Sequence, residues 1–330
     1  MPAITRSAAM LAIALAGLQS LCISQTVLAQ DYPTRPIRLV IPFAAGGTTD
    51  SVGRVLAAGL STRLGQQVIV ENKPGAGSQI GLEYVMHAPA DGYTIALGGS
   101  DGLAVMHAIR RKSPYDSLKD FTPIALVANA ALSYTVNAKV PANTLKDFIA
   151  YARSKPGAVR YGSAGVGTTL HLGIEQLQAM AGIDMVHVPY KGGAPMMTDV
   201  VAGEVELVLT SADFAKRWAD TGQLRVLAQA DTVRHPLLPN VPTTTEAGMP
   251  ELQAVTWFGL FGPAGLPRPI VERIAAELPA LLADRTLIDR LITVGAYTRF
   301  TPAAEIPRII TEDTARWTRI VRDARIPLQD

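Results

Sequence analysis

Ile37-Arg38-Leu39-Val40-Ile41-Pro42-Phe43-Ala44-Ala45-Gly46-Gly47-Thr48-Thr49-Asp50 runs from an apolar β-branched segment, through a turn with two adjacent glycines, into an amphipathic stretch that continues to Leu64. It reads as strand, turn and helix. The alternation continues outward from there. Residues 67–71 and 93–97 read as strands with a helix over 78–87 between them, which completes one βαβαβ unit. A second series follows, with strands over 159–162, 185–189, 207–210 and 224–229 and helices over 169–180 and 194–202. Short strands alternating with helices predict the α/β class, with mostly parallel sheets flanked by crossover helices.

Between the two series, residues 121–137 form a long β-prone apolar run fit to carry the chain from one half to the other. Thr144 and Asp147 then open a helix with the spacing of a capping box. A second crossing is expected around 253–262. Beyond Pro267 the chain reads as helices only, over 270–283, 287–294 and 303–324, packing back on the first half. Two crossings predict a discontinuous first domain, 31–130 plus 252–330, and an inserted second domain, 131–251.

The chain has 330 residues, enough for about two domains at roughly 150 residues each. Its 30 Lys+Arg against 28 Asp+Glu leave a formal charge of +2, too small to hold nucleic acid or an anionic membrane. With 48% apolar and 18% charged residues it is neither disordered nor fibrous. Residues 1–29 read as a signal peptide: Arg6 precedes an apolar run over 8–18, and Val27-Leu28-Ala29 ends in small residues suited to cleavage after Ala29. Five polar residues between Gln19 and Thr26 argue against a membrane anchor there. The one cysteine, Cys22, lies in this segment behind Leu21, which is too bulky for the residue expected before a lipidated cysteine.

The turn from Phe43 to Asp50 follows a strand and opens a helix, where unpaired backbone N–H groups and the helix dipole attract an anion. The turn Ser163-Ala164-Gly165-Val166-Gly167-Thr168 occupies the same position in the other half. Two such starts in two domains point to one cleft between them. Neither segment fits G-x-x-x-x-G-K-[ST] or G-x-G-x-x-G, so a nucleotide is disfavoured and a small carboxylate suits the donors. A serine hydrolase using Ser163 is the rival reading, although G-x-S-x-G is absent and His171 is expected on the helix surface or cleft wall. The five histidines show no H-E-x-x-H, and neither a metal nor another cofactor is expected. Lys191-Gly192-Gly193 could bring a cation to the cleft, and Phe43, Trp257 and Phe258 are expected in the core or against the ligand.

These residues resemble the periplasmic substrate-binding receptors of tripartite tricarboxylate transporters, the Bug-type receptors. The resemblance spans nearly the whole chain after residue 31. It rests on Pro42-Phe43 with Ala45-Gly46-Gly47 and Asp50, Val70-Glu71-Asn72-Lys73-Pro74-Gly75-Ala76-Gly77, Asp91-Gly92-Tyr93-Thr94, Gly162-Ser163 with Gly165, Gly167 and His171, Val188-Pro189-Tyr190-Lys191-Gly192, and Leu238-Pro239-Asn240-Val241-Pro242-Thr243. It implies a two-domain type II periplasmic-binding-protein fold that closes on a small organic carboxylate and serves integral-membrane permease subunits. It also implies a monomeric, non-enzymatic protein in the periplasm. The ligand-binding set carried over is Phe43, Ala45, Gly46, Gly47, Thr48, Asp50, Ser100, Ser163, Gly165, Gly167, Thr168 and Thr210. Three places depart from the family pattern: Thr48 and Thr49 where glycine is commoner, Asp101-Gly102 where a small hydroxyl residue is usual, and Thr210-Ser211-Ala212 in place of Phe-Asp-Asn. A ligand-sensing module for a signalling partner would share the fold.

Overall fold

A computed structural model of the protein describes residues 32–329, and the leader expected over 1–29, with Cys22, lies outside them. Strands β1 (Ile37–Ile41), β2 (Val68–Asn72) and β3 (Thr94–Gly99) form a parallel set in the order β2-β1-β3, with Ile37 opposite Val68 and Leu39 opposite Ile95. Helix α1 (Thr48–Leu64) makes the first crossover and α2 (Gln79–Met86) the second, and a short α3 (Met106–Ile109) lies beyond β3. The later strands β5 (Val159–Ser163), β6 (Met185–Pro189) and β7 (Leu207–Ser211) repeat the pattern in the order β7-β5-β6, with α5 (Thr169–Ala181) and α6 (Gly193–Ala202) between them. Because crossover helices cover the faces of parallel strands, β1 and β7 are nearly continuous apolar runs and are almost wholly buried.

What joins the two sets is β4 (Phe121–Asn137), a single strand of 17 residues. Its first part pairs antiparallel with β9 (Val255–Pro263), and its second part pairs antiparallel with β7 and with β8 (Leu224–Gln229). The sheet is therefore mixed, parallel at both ends and antiparallel through the middle. Leu39, Leu56, Ile95, Val127 and Leu278 belong to one buried cluster; Tyr134, Phe148, Leu177 and Leu209 belong to another. Adjacent segments of β4 thus anchor two separate cores.

The expectation of helices only after Pro267 is wrong. Between α9 (Arg285–Thr293) and α10 (Ile306–Asp323) the chain adds β10 (Ala296–Pro302), antiparallel to β4 with Ala296 opposite Ala130. Its sequence, Ala-Tyr-Thr-Arg-Phe-Thr-Pro, is half-exposed and lacks the apolar run that marks the other strands. Helices α8 (Arg268–Leu282) and α9 supply Leu278, Leu287 and Leu291 to the first core. Helix α10 reaches further: its Trp317 and Val321 pack with Val105 and Ile109 and also with Leu172 of α5. Helix α4 (Leu145–Arg153) starts with the capping box read from Thr144 and Asp147, each side chain bonding the other's backbone.

Candidate functional site

The turn after β1 is braced from behind. Gly46 takes a positive φ of 83°, and its N–H donates to Asp50 Oδ2 at 2.9 Å. Arg54 Nε donates to the same oxygen, Asn72 Nδ2 donates to Oδ1 at 2.9 Å, and Asn72 also donates to the Phe43 carbonyl. Burial would raise the Asp50 carboxyl, but these hydrogen bonds and the Arg54 charge hold it below the ordinary carboxylate range. The N-cap of α1 is Gly47, with no side chain to bond the first turn. The start of α1 is left open.

The turn after β5 has the same placement and the opposite state. Gly165 N–H donates to Ser163 Oγ, Gly167 N–H to His171 Nδ1, and Thr168 N–H to the Gly165 carbonyl. Thr168 caps α5 by accepting from His171 N–H. Thr169 N–H and its hydroxyl both donate to Asp101 Oδ1, at 2.7 and 2.6 Å. At this second start the protein's own groups already take the N–H groups of Gly165, Gly167, Thr168, Thr169 and His171.

The two halves meet at these starts. Thr48 Oγ1 lies 2.8 Å from Ser211 Oγ at the start of α7 (Ala212–Asp220), and Ser100 Oγ lies 3.3 Å from Thr169 Oγ1. Beside them is a cavity of about 50 Å³, several times the roughly 10–15 Å³ that one water needs. Phe43, Gly47, Thr48 and Thr210 of the expected set line it. Gly165 and Gly167 line a neighbouring cavity of about 330 Å³ that shares Phe43 and Ala164 with the first and adds Lys191. Ala45, Gly46, Asp50, Ser100, Ser163 and Thr168 line neither. Sequence reasoning missed Leu132, Leu170, Ser211, Phe214 and Thr256, which line the smaller cavity together with Phe258. The Thr-Ser-Ala-Asp string at 210–213, a hydroxyl N-cap followed by an acid, was the available signal for α7.

Ser163 is fully buried, and its Oγ lies 2.7 Å from His187 Nε2. His187 stacks on His171 with ring centroids 4.1 Å apart, and Tyr161 stacks on His187 at 4.8 Å and bonds Glu175 through its hydroxyl. His171 is buried rather than on the helix surface, because its ring closes this stack. Desolvation pushes His187 down to about 4, and desolvation with the neighbouring ring pushes His171 down to about 3. The Ser163–His187 pair resembles an activated nucleophile, yet the serine has no solvent-facing surface to meet an ester.

The chain has relatives that match it over most of its length. Residues 52–326 fit the tripartite tricarboxylate transporter family receptor. The chain belongs to that family. It is 32% identical over 308 residues to protein BugT of Bordetella pertussis, covering 93% of this chain and 94% of BugT. An R. palustris protein solved with adipate is 34% identical with a TM-score of 0.86, covering 90% of this chain and 99% of its own. MatC from Rhodopseudomonas palustris with bound malate is 30% identical with a TM-score of 0.83, covering 88% and 100%. The protein is thus a solute-binding receptor with the two-domain fold of periplasmic binding proteins, as the motifs implied.

Proposed function

We propose that this receptor captures a small organic carboxylate in the cavity at the open start of α1 and delivers it, in the periplasm, to the permease subunits of a tripartite transporter without chemical turnover. The observation that carries the reading is the contrast between the two turns. Thr48 and Thr49 begin a helix of 17 residues with no capping side chain, and both line the cavity. Two hydroxyls, the N–H groups of a first turn and the helix dipole suit one carboxylate without an arginine. Asp50, Gly46 and Ser100 act behind the cavity, holding the turns rather than touching the ligand. The domain division at about residues 130 and 252 gives the cleft its means of closing, and cleavage after Ala29 gives the receptor its compartment.

The test is a thermal-shift screen of the chain from Gln30 against a broad organic-acid panel. At least one acid at about 100 times its Kd is expected to add about 2.7 kcal/mol of stability, and Gly47→Val, which puts a branched side chain at the helix start, should abolish the shift. A panel that leaves the midpoint unmoved, or an acid bound equally well by Gly47→Val, would sink the reading.

A further inference from the structure

The cavity wall holds one ionisable side chain, and it is acidic. Asp101 comes from the π-helical turn Asp101–Val105 that follows β3, yet it reaches the start of α5 in the other half of the molecule. Its Oδ1 accepts both donors of Thr169, which is the place and geometry an incoming carboxylate would take at that helix start. Among the described residues, no hydrogen bond engages Oδ2. Asp101 is only 7% exposed, and no Lys, Arg or His lines the cavity with it. The remaining wall is largely apolar: Phe43, Leu132, Leu170, Phe214 and Phe258.

We propose that Asp101 is a specificity residue that restricts the ligand to one carboxylate on an apolar body. The ligand carboxylate sits at the open start of α1, the aromatic and aliphatic side chains pack its body, and the start of α5 is closed to a second carboxylate because the protein has supplied its own. A dicarboxylate would bring a like charge into a desolvated site with no cationic side chain to offset it. The proposal rests on the carboxylate-receptor reading and narrows it. It sets this chain apart from the relatives solved with adipate and malate, which each carry two carboxylates.

Matched pairs isolate the second charge: hexanoate against adipate, and benzoate against terephthalate, titrated calorimetrically into the wild-type receptor, Asp101→Ser and Asp101→Asn. The wild type should bind the monocarboxylate of at least one pair roughly tenfold or more tighter than its dicarboxylate. Asp101→Ser frees the Thr169 donors and should reduce that ratio by roughly tenfold. Asp101→Asn removes the charge while keeping an acceptor for Thr169, so it should move the ratio the same way even where the serine variant loosens the fold. A wild type that prefers the dicarboxylates, or a ratio unchanged in both variants, overturns the assignment. So does a preference for phenylalanine over 3-phenylpropanoate, which would make Asp101 a counter-ion for an ammonium group. Failure of every acid in the panel to bind would instead defeat the carboxylate reading itself.

Discussion

Asp50 never reaches the cavity, yet the turn that does depends on it. Its two oxygens fix Gly46 N–H, Arg54 and Asn72, and Asn72 in turn fixes the Phe43 carbonyl. Removing the charge in Asp50→Asn leaves buried donors with poorer partners and should cost about 1–3 kcal/mol at pH 7, read by urea unfolding. Because the folded carboxyl lies below its unfolded value, its contribution is complete above about pH 4 and is lost as pH falls through the lower folded value. The stability gap between wild type and Asp50→Asn should therefore close below pH 4; a gap that persists there would show that Asp50 acts through shape alone. The residues from Phe43 to Asp50 were legible because a glycine pair between a β-branched run and a helix has few other readings. The pairing of Asp101 with Thr169 was not, since the two residues lie 68 positions apart and nothing local to either marks the other.

Elements with a strong internal pattern were readable and those stabilised by their neighbours were not. β1, β6 and β8 match their predicted bounds because each is a short apolar or β-branched run. β10 depends on pairing with β4, and α7 is a short helix that the strand-rich reading passed over. The stack of Tyr161 on β5, His187 on β6 and His171 on α5 likewise exists only once those elements are adjacent. It has a measurable signature. Below about pH 6.5 the unfolded chain protonates both histidines while the fold keeps them neutral down to about 4 and about 3, so stability falls with acidification over that window. Each proton contributes a slope of up to about 1.4 kcal/mol per pH unit. His187→Gln should remove about one proton from the slope between pH 6.5 and 4, measured by urea titrations across that range; an unchanged slope would mean the pair is solvated and charged in the fold.

At the scale of the molecule, the two cores share β4, and a separate apolar cluster around Trp317 of α10 joins the halves through Leu172. Beside the cavity the contacts between the halves are polar, Thr48 with Ser211, Ser100 with Thr169 and Asp101 with Thr169, while the apolar contact of Val105, Ile109 and Trp317 with Leu172 lies in a cluster apart from the two cores. A ligand that favours the closed form by about 2.7 kcal/mol shifts the equilibrium about a hundredfold. Small-angle scattering should then show a smaller radius of gyration at saturating ligand, and an unchanged profile would rule out closure as the signal to the membrane. The shared strand also sets an order of assembly. The second part of β4 pairs with β7 and β8, which follow it within about 90 residues along the chain, whereas the first part waits for β9 and β10, more than about 120 residues downstream. The later strand set can complete its pairing with β4 while the earlier one still lacks two strands, so the half that begins the chain is finished last.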